Sequence, residues 1–99
     1  MHEVVKVVND QDLTIVFNDG VKYDILEGMV PPQFEKNGRT YTSDLMFIME
    51  SDEDGTYKLV DWICGITTMT IEDIVEYCTN LRNKGADEAY RIFIRKGME

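Results

Sequence analysis

Glu50, Asp52, Asp54, Gly55 and Asp61 fall at positions 1, 3, 5, 6 and 12 of a calcium-binding EF-hand loop, the one place where this chain approaches a metal motif. The match departs at both ends. Glu stands where the first ligand is usually Asp, and Asp61 is too short to replace the bidentate Glu that closes the loop. The flanking segments, Met46 to Met49 and Tyr57 to Trp62, have strand-type rather than helical composition. The expectation is an acidic hairpin tip and no metal site. Cys64 and Cys78 form no CxxC pair and have no histidine cluster beside them, so they are expected to be reduced and buried.

Other chemistries are excluded residue by residue. His2 is the single histidine and lies at a terminus expected to be mobile, which leaves Ser43, Ser51 and both cysteines without a general base. The glycines at 20, 28, 38, 55, 65, 85 and 97 are too widely spaced for a phosphate-cradling loop. No lysine has an acid two residues before it, as an Asp/Glu-x-Lys nuclease step requires. A carboxylate pair of the glycosidase kind needs a cleft that so short a chain seldom builds. The sequence therefore reads as non-enzymatic, with no catalytic residue and no cofactor.

What remains is charge. Residues 44–81 hold nine carboxylates against one cation, Lys58, and supply nearly all of the net charge of −9. Residues 1–81 carry sixteen acids and five cations, whereas residues 82–99 carry five cations and three acids, giving −11 and +2. The candidate partner-binding face is Glu50, Asp52, Glu53 and Asp54 on the hairpin tip, with Glu72 and Glu76 on the following helix. Glu50, Asp52 and Asp54 would stand about 6.5 Å apart if extended. The partner expected is a protein with a basic, nucleic-acid-binding surface. Direct nucleic-acid binding by Arg91, Phe93 and Arg95 is opposed by the overall charge.

The elements that must position these groups can be read from periodicity. Glu3 to Val8 is an apolar strand candidate. Leu13, Ile15 and Phe17 alternate on one face before Asn18-Asp19-Gly20 turns the chain into Val21, Tyr23 and Ile25. A second hairpin joins residues 45–50 to 57–64 across Ser51 to Gly55. Thr70 and Asp73 mark a helix start and Gly85 its end, with Ile71, Ile74, Val75, Cys78 and Leu81 as the apolar stripe. Residues 87–96 fit either a helix or a strand. The fold class expected is α+β: about five antiparallel strands from two hairpins, packed on helix 71–84, in one domain spanning 1–99.

Residues 27–43, punctuated by Gly28, Pro31-Pro32 and Asn37-Gly38, belong to neither hairpin. Phe34 and Tyr41 within them are candidate contacts, either as a lid on a sheet face or as part of a polyproline-like segment. The longest charge-free run, Trp62 to Ile71, is about half of what a bilayer helix needs, so no membrane partner is expected. The first residues lack the apolar core of a signal peptide, which predicts a cytoplasmic protein, in a bacterium or a phage-infected host, as monomer or homodimer. In size, acidity and absence of catalytic groups the chain resembles small phage-encoded anti-defence proteins such as anti-CRISPRs. That resemblance is one of profile, so no residue role is carried over. It implies an inhibitor or adaptor docking its acidic face on a basic protein. The alternative is an accessory or structural module with apolar contacts, through Phe34 or Trp62, in which the charge serves solubility.

Overall fold

Two β-turns at one end of a sheet organise this chain, and both are built from residues that accept positive φ. The computed structural model describes residues 1–28, 34–36, 39–41, 45–64 and 70–95. Five strands, β1 (Val4–Asn9), β2 (Leu13–Phe17), β3 (Lys22–Gly28), β6 (Leu45–Ser51) and β7 (Tyr57–Cys64), form one antiparallel sheet in the order β1-β2-β3-β6-β7. Helices α1 (Ile71–Lys84) and α2 (Ala86–Arg95) complete an α+β fold.

At the first turn Gly20 has φ +88°, and the Val21 amide donates to Asp19 Oδ1 at 3.2 Å. At the second, Gly55 has φ +79°. The side chain of Glu53 lies over Gly20, so the two turns abut.

Strand alternation then fills one face. Ile15, Phe17, Tyr23, Ile25, Met46, Ile48 and Ile63 point to the same side and are buried with Tyr77, Cys78 and Leu81 of α1 and Ala89, Tyr90 and Phe93 of α2. A bulge makes this possible in β7. Ile48 pairs with Asp61 but the next residue, Met49, pairs with Leu59, so the extra residue flips the face. Leu59 is turned outward, while Asp61 and Ile63 are turned in.

α1 begins as the capping signals require. The Asp73 amide donates to Thr70 Oγ1 and the Thr70 amide to Asp73 Oδ2, a complete capping box closed by Asp where Glu or Gln is preferred. Its buried stripe differs from expectation at one end: Ile71 is 43% exposed, and Tyr77 carries the burial instead. Residues 86–95 are a helix, and the choice was made by which faces are buried: Ala89, Tyr90 and Phe93 follow helical spacing, with Phe93 set edge-on to Tyr77 at 5.7 Å.

The 27–43 stretch holds a short hairpin that the sequence did not announce. β4 (Phe34–Lys36) and β5 (Arg39–Tyr41) pair with Phe34 opposite Tyr41. The polyproline reading rests on residues 30–33 and the lid reading on the placement of the Phe34 side chain, both outside what is described.

Candidate functional site

Asp52 organises the acidic hairpin tip before it can meet any partner. Its Oδ1 accepts from the amides of Asp54 at 3.0 Å and Thr56 at 3.1 Å, and its carbonyl accepts from Gly55. Residues 52–55 are therefore a bonded hairpin turn, in which the spacing of an extended row does not apply. Asp52, Glu53 and Asp54 are exposed, and none forms an ion pair among the described residues.

Glu50 has a different setting. It lies on the helix-bearing face, opposite Tyr23 and Lys58, with Lys58 Nζ 3.9 Å away. Burial and then the Glu50 charge push the Tyr23 phenol well above its ordinary range.

The EF-hand-like positions divide between the tip and the core. Asp61, which would close the loop, is buried and accepts from the Tyr77 hydroxyl at 2.5 Å. Among the described residues no group of three or more His, Cys, Asp or Glu is placed to hold a metal ion. Cys78 is buried and unbridged, and burial drives its thiol far above the range in which it would react.

The same end of the molecule holds a cluster the sequence did not reveal. Arg82, in the last turn of α1, donates to Asp19 Oδ2 at 2.8 Å and Oδ1 at 3.3 Å, while its guanidinium stacks 4.8 Å over the Phe17 ring. His2 Nδ1 lies 3.2 Å from Arg82 Nη2 and 3.3 Å from Asp19. The terminus expected to be mobile is tied down: the His2 amide donates to Asn83 Oδ1, and Asn83 Nδ2 donates to the His2 carbonyl, both at 2.8 Å. Sequence alone showed Asp19 as a turn residue and gave no sign of its pairing with Arg82, 63 positions away. Only the crossing of α1 over β2 and β3 joins them.

This cluster also locates the two acidic sites. Arg82 bonds to the turn that abuts the hairpin tip, so α1 ends at that pole and runs back from it. Glu72 lies ten residues earlier, about 15 Å along the axis, and Glu76 about 9 Å. Glu50, Asp52, Glu53 and Asp54 are brought together, and Glu72 and Glu76 are not brought to them. Glu76 instead borders a shallow groove between the helices, with Asp73, Asn80 and Phe93. Phe34 and Tyr41 lie in the connection between Gly28 and Leu45, the strand ends remote from the tip. Arg82, a cation of the C-terminal part, lies at this acidic pole, paired with Asp19.

Asp19 sets a pH dependence. The hydrogen bonds from Arg82 hold its carboxyl at about 2, below the ordinary 3.8. The contribution is fully present above pH 3.8 and is lost as pH falls toward 2. Arg82→Met is expected to lower the urea midpoint at neutral pH, with the gap to wild type narrowing through that window. A gap that stayed constant down to pH 2 would show that the ion pair contributes nothing.

No protein-family model matches this chain, and neither a curated protein nor a solved structure is significantly similar to it.

Proposed function

We propose that this chain is a small, non-enzymatic acidic binding protein, an inhibitor or adaptor that docks on the basic surface of a nucleic-acid-binding protein, as phage anti-defence proteins do. The supporting observation is the tip itself: three exposed carboxylates, Asp52, Glu53 and Asp54, carried on a turn whose backbone is already bonded. A preorganised charged loop loses little conformational freedom on binding, and its field accelerates encounter with a cationic groove. Glu72 and Glu76 belong to a separate end of α1, so the docking surface of this reading is the tip pole alone.

The test is capture from host-cell lysate on immobilised protein, wild type against Asp52→Asn/Glu53→Gln/Asp54→Asn, at about 50 and 150 mM salt. Asn at 52 keeps the acceptor that closes the turn. The expected result is a basic protein retained by wild type, weakened by salt and reduced about tenfold or more in the triple variant. A partner held equally by both would end this reading.

A second reading is favoured by the outer sheet face, where Phe47, Met49 and Trp62 are half-buried and Tyr57 and Leu59 are each 49% exposed. An accessory or structural module using that face would bind its partner with little dependence on salt.

A further inference from the structure

We propose that β1 is a self-association edge: two copies join antiparallel along residues 6–10 about a two-fold axis at Val8, with each Lys6 facing Asp10 of the other copy. β1 is an outermost strand of the sheet, so half of its backbone amides and carbonyls point away from β2. Apolar side chains accompany them, for Val5 is 63% and Val7 40% exposed.

The other edge, β7, is guarded against such pairing by its bulge, by the cation Lys58 and by Asp61 turned into the core. On β1 the bulge falls at Val5, before the stretch proposed to pair.

The choice of a second copy as occupant follows from charge along the strand. Lys6 is the cation of β1, and Asp10 and Asp12 follow its end, all three exposed. An antiparallel copy brings the cation of one strand to the acid of the other, twice about the axis. Pairing instead about Lys6, through the repeat Val4-Val5-Lys6-Val7-Val8, would oppose two lysines. The bulge would then set Val4 and Val8 on different faces. With the axis at Val8, Lys6 and Asp10 share the face away from the helices, and Val7 packs beside Asn9 of the other copy on the helix side.

Five paired residues span about 17 Å. That is less contact than a stable dimer needs, so the dissociation constant is expected on the order of 100 μM.

Sedimentation equilibrium from about 20 μM to 1 mM protein, at about 150 mM salt, tests the idea with exposed positions only. Wild type is expected to shift from monomer toward dimer across this range. Lys6→Glu and Asp10→Lys should each weaken the dimer roughly tenfold or more. An equimolar mixture of these two variants should associate again, to within about threefold of wild type. In the mixed dimer the two introduced charges, opposite in sign, face each other, and the two unaltered side chains, Lys6 and Asp10, face each other at the second contact. Thermal unfolding of each variant checks that the fold is kept, and the tip triple variant should dimerise like wild type, which separates this result from the docking reading. A monomer throughout the range, a dimer indifferent to either reversal, or a mixture that stays monomeric would overturn the proposal.

Discussion

Replacing Phe93 with alanine is expected to destabilise the chain by about 4 kcal/mol, while Ile94→Ala at the next position costs under about 1 kcal/mol. Phe93 is 2% exposed, packs edge-on against Tyr77 and touches Tyr90, whereas Ile94 is 38% exposed. Truncating Phe93 removes a ring that bridges both helices and leaves a cavity the neighbouring rings can only partly fill. Against a total stability of about 5–15 kcal/mol for a domain of this size, that loss lowers the thermal midpoint by roughly 20 °C. The contrast also tests the packing of α2 on its Ala89, Tyr90 and Phe93 face. In a strand, Phe93 and Ile94 would face opposite sides of a sheet with Ile92 beside Ile94; in the helix, Ala89, Tyr90 and Phe93 share the buried face. Equal losses at 93 and 94 in urea midpoints would contradict the helical packing.

Tyr77→Phe is expected to cost about 2 kcal/mol, with a thermal midpoint roughly 10 °C lower. The phenol donates to Asp61, a carboxylate turned into the core by the β7 bulge and only 7% exposed. Phenylalanine keeps the ring and its packing but removes the donor, so a buried acceptor loses a hydrogen bond while nothing else is displaced. In the Asp61→Asn background, Tyr77→Phe should cost less, because a neutral amide loses less than a carboxylate when its donor goes. A Tyr77→Phe variant within about 0.5 kcal/mol of wild type would show that the bond contributes nothing to stability.

Local chemistry explains why most of the elements were legible in advance. Asn18-Asp19-Gly20 and the Asp52 to Gly55 turn supply positive φ and an aspartate acceptor at each reversal, and Leu13, Ile15 and Phe17 alternate along β2 just ahead of the first. Thr70 with Asp73 and the closing Gly85 set both ends of α1 within the chain's own immediate neighbours. The β4–β5 hairpin was not legible, since three-residue strands carry too little periodicity to rise above the surrounding Gly and Pro signals. Bulges are equally silent. One extra residue opposite Ile48 decides that Asp61 faces the core and Leu59 faces out, and nothing in Tyr57 to Cys64 marks the place.

The candidate site divides along the same line. Composition alone determined that the chain is acidic, that its carboxylates concentrate between residues 44 and 81, and that it lacks the histidine and glycine patterns of the enzyme and phosphate-binding classes considered. Tertiary structure decided which carboxylates stand together: the tip acids gather with Glu50 at one pole, Asp19 is taken up by Arg82, Asp61 by the core, and Glu72 is carried some 15 Å away. The reason is physical. Turn and cap preferences act over three or four residues and can be read in order, whereas the meeting of Arg82 with Asp19 and His2 depends on the path α1 takes across the sheet, which is set by the packing of Tyr77, Cys78 and Leu81 on strands far from them in sequence.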